Sequence, residues 1–311
     1  MKIISSFSKV KYVLSVVALW LMIAFSAVSA LADDDKVVAI IYLSDIPLYH
    51  EVADWIEDDM KSSGIETKKI VLQKDGKLYA ELPKNSILIT IGDFALRFSL
   101  ENLPGYPGLS FMAYNSQVIK QAIATNNWLV LPLYASPDMR VSFLKQQISD
   151  IKTVATIYTE RFRDEINEVK ATLSSAGILL NAVEVTDGAD AISVTAKLFQ
   201  ENDCFMIYHD AAVNNKILID QLLKLQHDNK KPVIGLSQKF VQQGVLMAIT
   251  YDLKYIPYLA KRLVSGALKN KEEIAREIQK GYVIYVNEHA ARNMNLKFPA
   301  RIQDVHVEII S

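Results

Sequence analysis

Pro232-Val-Ile-Gly-Leu-Ser-Gln-Lys-Phe-Val-Gln-Gln-Gly244-Val-Leu-Met-Ala-Ile-Thr-Tyr-Asp252 reads as buried strand, short helix and buried strand, with a polar residue at each strand end. Val233 to Leu236 is a short apolar run that stops at Ser237, whose hydroxyl can accept a backbone N–H at a helix N-cap. Gly244 then breaks the helix, and Val245 to Ile249 begins a second strand that ends at Tyr251-Asp252. In open α/β sheets ligands bind beyond the carboxyl ends of strands, where helix N-termini present free N–H groups. Two such ends follow one another closely here.

The same alternation runs outward in both directions. Upstream, Val37 to Leu43 is a strand, Leu48 to Ser62 a helix, Ile87 to Ile91 a strand and Asp93 to Glu101 a helix opened by Gly92-Asp93. Trp128 to Leu133 is a strand ending at Tyr134-Ala-Ser136, and Pro137, suited to a first helical turn, opens the helix to Ile148. A second series follows: strand Thr153 to Tyr158, helix Arg161 to Ser175, strand Ile178 to Val183, helix Ala189 to Gln200, strand Cys204 to Tyr208 and helix Val213 to His227. Downstream come a helix from Leu253 to Leu268, a polar crossing at Lys269 to Ile278, a strand from Tyr282 to Val286 and a helix from Asn287 to Asn293. Gln73 to Ser86 is polar, lacks periodicity and reads as an irregular connection.

Such β-α alternation predicts parallel sheets covered by helices on both faces. Two similar series predict two doubly wound lobes, an N-terminal one over residues 33–135 and a C-terminal one over 136–236. Residues 237–311 supply crossing segments to both. A chain that passes repeatedly between lobes makes a multi-crossing hinge, which restricts motion to opening and closing.

The N-terminus has a different character. Lys2, Lys9 and Lys11 precede the apolar run Tyr12 to Phe25, and Ala30-Leu31-Ala32 is a small-x-small cleavage site followed by Asp33-Asp34-Asp35. This is the pattern of a secretory signal peptide over residues 1–32, cleaved after Ala32, with an uncleaved membrane anchor as the alternative. No Cys follows the cleavage site to carry a lipid, so the mature chain is expected free in a Gram-negative periplasm. Loss of the three signal lysines makes a chain of formal charge −1 more acidic, and no basic run offers a footprint for nucleic acid. Cys204, the single cysteine, lies in the apolar run Cys204-Phe-Met-Ile207 and reads as an inert core thiol.

Three stretches together resemble a known family. They are Pro232 to Asp252, Val283-Ile-Tyr-Val-Asn-Glu-His-Ala-Ala-Arg-Asn-Met-Asn-Leu-Lys-Phe-Pro299, and the ordered set Ser136-Pro137, Lys152 to Tyr158 and Cys204 to Asp210. The chain from about Val37 to its C-terminus resembles the ABC-transporter substrate-binding proteins of the tryptophan/tyrosine-binding type. That resemblance implies a type I periplasmic-binding-protein fold, with the ligand in the cleft between two lobes. The chain departs from the family pattern at Gly92-Asp93-Phe94, at Thr159 to Asp164 where an Asn-Ser pair is usual, and at His209-Asp210-Ala211 where a Thr-Asp-Asn cluster is usual. Only Asp210 is kept, so ligand identity does not follow from the resemblance.

The strand ends expected to face the ligand are Ser44-Asp45, Asp93-Phe94, Tyr134 and Ser136, Tyr158-Thr159, Tyr208-His209-Asp210, Ser237 and Tyr251. Aromatic rings suit a flat or apolar body, carboxylates a cation, and hydroxyls with helix N-termini an anion. A small zwitterion of amino-acid type meets all three conditions. The same residues also have purely structural readings. Asp45, Asp93 and Asp210 stand at expected helix starts, where Asp is common as a cap; Ser237 can be only a cap; Tyr158 and Tyr208 can end buried strands; Tyr251-Asp252 can be a hinge element.

Catalysis finds little support. Gly235-Leu-Ser-Gln-Lys239 lacks the second Gly of a nucleophile elbow, the five histidines show no paired ligand spacing for a metal, and no Gly-rich loop cradles a phosphate. The expectation is a monomeric, non-enzymatic binder without cofactor. It captures a small-molecule ligand for an inner-membrane ABC permease, or alternatively serves as a sensory module for a membrane kinase or cyclase.

Overall fold

The computed structural model describes residues 37–73, 81–268, 270–302 and 305–311. The signal-peptide reading and half of the Gln73–Ser86 connection, residues 74–80, lie outside the described residues. Of that connection, the segment leading into Ile87 has no regular structure.

The described chain begins with β1 (Val38–Leu43), α1 (Pro47–Ser62), β2 (Thr67–Leu72) and β3 (Ile87–Ile91). It continues through α2 (Asp93–Asn102), β4 (Gly108–Ala113), α3 (Ser116–Ala124) and β5 (Trp128–Pro132). β1 and β3 are continuous apolar runs because a central parallel strand is covered on both faces, and their residues from Val38 to Tyr42 and Ile87 to Ile91 are buried. The five strands pair in parallel in the order β2-β1-β3-β4-β5. α1 turns Tyr49, Val52, Ala53, Ile56 and Met60 inward at helical spacing.

The second run starts at α4 (Pro137–Gln147) and β6 (Thr153–Tyr158), then a 3₁₀ turn at Glu160–Phe162 leads into α5 (Arg163–Ser175). β7 (Leu179–Glu184), α6 (Gly188–Glu201), β8 (Cys204–Met206) and α7 (Lys216–Asn229) follow. Next come β9 (Val233–Gly235), α8 (Gln238–Gln242) and β10 (Met247–Tyr251). A 3₁₀ turn at Leu253–Tyr255, α9 (Ile256–Val264) and α10 (Lys271–Lys280) precede β11 (Tyr282–Asn287), α11 (Glu288–Asn293), β12 (Arg301–Ile302) and β13 (Val305–Ile310). The second sheet has the order β12-β13-β11-β10-β9-β8-β6-β7. Its pairs β6–β7, β6–β8, β8–β9, β9–β10 and β11–β13 are parallel and the short β12 runs antiparallel to β13, while β10 and β11 are bracketed by Asn287 N bonding to the Leu246 carbonyl and Asp252 N to the Gly281 carbonyl, an antiparallel register.

The chain thus forms two α/β units. One comprises the described residues up to Leu133 with Tyr251–Gly281, the other Tyr134–Thr250 with Tyr282–Ser311, and the chain passes from one to the other at Leu133–Tyr134, Thr250–Tyr251 and Gly281–Tyr282. Each has its own core. Ala39, Ile41, Leu88, Leu96, Val118 and Trp128 belong to the first, and Ala155, Ile157, Phe199, Phe205, Leu222 and Val233 to the second.

The strand–helix–strand segment is held by two buried amides from outside it. Gln226 Oε1 accepts from Val233 N at 3.1 Å and Leu246 N at 2.9 Å, and its Nε2 donates to the Gly244 carbonyl at 2.8 Å. Asn287 Nδ2 donates to the Val241 carbonyl at 3.0 Å while its Oδ1 caps α11 through Ala290 N at 2.8 Å. The second strand starts at Met247 rather than Val245, because the turn at Gly244, with φ of +115°, is followed by Val245 N bonding back to the Phe240 carbonyl.

Several expectations are corrected. The polar crossing at Lys269 to Ile278 is largely helical: Asn270 caps α10 by accepting from Glu273 N at 2.9 Å, and Ile274 and Glu277 face inward. The helix expected from Val213 starts at Lys216, where Asn215 accepts from Leu218 N. The helix expected from Leu253 to Leu268 opens as a 3₁₀ turn and ends at Val264.

Candidate functional site

Both units share a topological feature. In the first, β1 has β2 on one side and β3 on the other; in the second, β6 lies likewise between β7 and β8. Right-handed crossovers from such a central strand leave toward opposite faces, so the loops after β1 and β3, and after β6 and β8, part to leave a crevice. Such switch points are where open α/β sheets take ligands.

In the first unit the crevice is formed by Ser44-Asp45 after β1 and Gly92-Asp93-Phe94 after β3. Ser44 Oγ donates to Asp45 Oδ1 at 3.0 Å, and both residues are exposed. Asp45 does not cap α1, whose N-cap position is Ile46. Asp93 is the first residue of α2, and its Oδ1 accepts from Tyr114 N and Asn115 N, each at 2.8 Å, tying the end of β3 to that of β4. Asn115 in turn caps α3. Gly92 has φ of +84°, and a Cβ there would lie 2.5 Å from the Tyr49 ring, so only glycine fits. Leu48 in the first turn of α1, Phe94 in the first turn of α2 and Tyr114 just after β4 are 39%, 38% and 41% exposed. Apolar side chains are thus displayed beside a carboxylate.

The second unit's crevice is more enclosed. Asp210 is 2% exposed; its Oδ2 accepts from both the amide and the hydroxyl of Thr159 at 2.7 Å, and its Oδ1 accepts from Ala212 N at 3.1 Å. These bonds staple the β6 end to the β8 end. Asp210 does not cap a helix, contrary to expectation, since Asn215 caps α7. Tyr208 is buried, its hydroxyl donates to Glu165 Oε1 from α5, and its carbonyl accepts from Asn214 Nδ2. Burial first, and Glu165 second, push its phenol well above the ordinary range. Burial likewise raises the Tyr158 phenol.

His209 sits in an aromatic box. Tyr134 stacks on it with ring centroids 5.6 Å apart, Tyr208 lies at 4.4 Å and Phe162 meets it edge-on at 5.1 Å. Glu165 Oε1 is 3.3 Å from His209 Nε2 but lacks the alignment of a hydrogen bond, and that oxygen already takes the Tyr208 hydroxyl. Burial, followed by the Arg140 guanidinium, therefore prevails and lowers the imidazole to about 4. Arg140, on α4, is 1% exposed and donates from Nη1 to the Ile207 carbonyl at 2.9 Å. Burial lowers it to about 10, which leaves it charged at neutral pH.

Ser136 occupies the N-cap position of α4 and Ser237 that of α8, and neither hydroxyl makes a capping bond. Tyr251 packs within the first unit, with its ring against Gly281 and edge-on to Tyr255 at 6.2 Å. Tyr158-Thr159 and Tyr208-His209-Asp210 are thus brought together with Tyr134 in the second unit, and Ser44-Asp45 and Asp93-Phe94 flank the crevice of the first. Arg140, Phe162, Glu165 and Tyr114 were missed. For Arg140 a signal existed, since it shares a helical stripe with the apolar Val141 and Leu144. A separate groove of about 570 Å³ lies at the far edge of the second sheet, lined by Glu288, Arg292, Lys297, Phe298 and Ile309 among others, and contains none of these residues.

The fold recurs in solved structures. A ligand-free, open substrate-binding protein with adhesive properties from Clostridium difficile has a TM-score of 0.63 at 15% identity, covering 89% of this chain and 100% of that one. An ABC domain in complex with L-Trp from Streptococcus pneumonia has a TM-score of 0.53 at 14% identity, with coverage of 89% and 100%. A conserved domain protein from Vibrio cholerae has a TM-score of 0.54 at 18% identity, with coverage of 86% and 96%. Among curated protein sequences none matches. The sequence profile of the ABC transporter substrate binding protein family matches residues 135–309, more than half of the chain, and the chain belongs to that family.

Proposed function

We propose that this chain captures a small organic ligand of amino-acid type, with an aromatic or other flat body, and presents it to an inner-membrane ABC permease. The observation that carries this reading is the repeated switch point: both sheets gather rings and polar groups at one carboxyl end, in a member of a substrate-binding family. Phe94 and Tyr114 offer apolar surface, Asp45 a carboxylate for an ammonium group, and Tyr134, Tyr158, His209, Ser136 and Ser237 rings and hydrogen-bonding groups. Asp93, Thr159, Tyr208 and Asp210 hold the loops that carry them. The L-Trp in the pneumococcal structure supports a ligand of this class.

In this reading the segment up to Ala32 is removed on secretion, and the mature protein acts in the periplasm as a monomer without turnover. Thermal-shift screening of mature protein against amino acids, nucleosides and related metabolites tests the binding claim. A ligand at about 100 times its Kd adds about 2.7 kcal/mol of stability by mass action, and a screen with no saturating shift counts against the reading. Radiolabelled uptake in a strain lacking the gene tests delivery; unchanged uptake of every ligand the pure protein binds would exclude the transport role and move the reading to sensing. N-terminal sequencing of the exported protein tests cleavage.

A further inference from the structure

We propose that Arg140 is a positioning residue of the second unit's crevice: its buried guanidinium, anchored on the Ile207 carbonyl, adds to burial in holding His209 uncharged inside the aromatic box, so that a ligand meets a neutral imidazole there and a cationic group is disfavoured. Only the statement about the ligand rests on the proposed function.

Four charged groups face His209 or lie beside it. Arg140 comes from α4, Glu165 from α5, Arg161 from the 3₁₀ turn, and Asp210 is its neighbour in sequence. The two carboxylates are already engaged by neutral donors. Asp210 takes the Thr159 amide and hydroxyl and the Ala212 amide, and Glu165 takes the Tyr208 hydroxyl. Such bonds spread and weaken the field of an anion. Arg161 directs its guanidinium over the Phe162 ring at 5.3 Å.

Arg140 differs from all of these. Its Nη1 has the Ile207 carbonyl, but its Nε is buried without a hydrogen-bond partner, and no carboxylate is ion-paired to it among the described residues. A buried cation that is not neutralised acts at short range through a medium of low polarity. The carbonyl it grips lies two residues before His209, so the same contact fixes both the backbone of the loop and the charge state of its ring. The His209 Nε2 is likewise buried with no hydrogen-bond partner.

The test is a ¹H NMR titration of the His209 ring, assigned by comparison with His209→Gln, in ligand-free protein. Wild-type His209 is expected to titrate with a midpoint below pH about 5. Arg140→Met is expected to raise the midpoint by about one unit or more, because the cation that disfavours the imidazolium is removed, and Arg140→Lys is expected to restore the low midpoint. A folded Arg140→Met protein with an unshifted midpoint would overturn the proposal, as would a wild-type midpoint near the ordinary histidine value. Should Arg140→Met not fold, Arg140→Gln, which keeps a donor for the Ile207 carbonyl but removes the charge, decides: an unshifted midpoint there overturns the proposal as well. No ligand is needed, so failure of the ligand screen and failure of this inference are separate results.

Discussion

Replacing Asp210 with Ala separates a structural staple from a ligand contact. The carboxylate is buried and accepts three hydrogen bonds, two from Thr159 at 2.7 Å and one from Ala212 at 3.1 Å. Each bond to an ionised group contributes about 1.5–3 kcal/mol, and the contributions are not additive because the donors share one acceptor group. Of the three donors, the Thr159 hydroxyl can rotate to a new partner, whereas the two amides are fixed by the backbone. Leaving the part-buried Thr159 and Ala212 amides without their acceptor, at about 1–1.5 kcal/mol each, predicts a net loss of about 2–3 kcal/mol for Asp210→Ala. Asp210→Asn keeps an acceptor for Thr159 and turns an N–H toward Ala212 N, so about half that loss is expected. Equilibrium urea unfolding at neutral pH gives the measurement. The tryptophans beyond the N-terminal segment, Trp55 and Trp128, both lie in the first unit. Far-UV circular dichroism therefore follows both units, and tryptophan fluorescence follows the first. The circular-dichroism transition should shift to lower urea while the fluorescence transition moves less. A loss below about 0.5 kcal/mol in Asp210→Ala, the range of an ordinary surface substitution, would refute the staple.

Three further outcomes are expected. Gly92→Ala must adopt φ of +84° and place a Cβ 2.5 Å from the Tyr49 ring, so it should lose about 2–4 kcal/mol, read by tryptophan fluorescence in urea. The folded state holds His209 near 4 against an ordinary value of 6.5, so between those values the unfolded chain binds more protons and stability rises with pH. That contribution, about 3 kcal/mol, is present above pH about 6.5 and lost as pH falls toward about 4; His209→Gln should flatten the slope of unfolding free energy against pH over this window. Phe94 and Tyr114 are exposed, so Phe94→Ala and Tyr114→Ala should change stability by less than about 0.5 kcal/mol while weakening capture of a screened ligand by about tenfold in calorimetry.

Helical and strand periodicity is a local property, and it was legible wherever the apolar pattern was strong. Val37 to Leu43, Ile87 to Ile91 and Thr153 to Tyr158 read as buried strands because parallel strands covered on both faces must be apolar throughout. β2 is hidden by Lys68 and Lys69, since an edge strand can face water, and β4 by Gly108 and Ser110 within a buried run. α10 carries so many charges that its few inward residues do not mark it, and only its Asn270 cap hints at a helix.

The amino-acid sequence by itself determined the α/β class, the two-lobed type I architecture and the substrate-binding family, because alternation and motif order are written along the chain. It also placed polar residues at the carboxyl ends of strands. Only the tertiary structure decided which of those ends form one crevice, since that depends on strand order: β6 beside β8 brings Thr159 to Asp210 across fifty-one positions. The same long-range packing engages the Asp210 carboxylate within the protein, buries Arg140 beneath Ile207 and closes rings from three separate segments around His209. Burial and charge at such a site are sums over neighbours remote in sequence, and no local pattern encodes them.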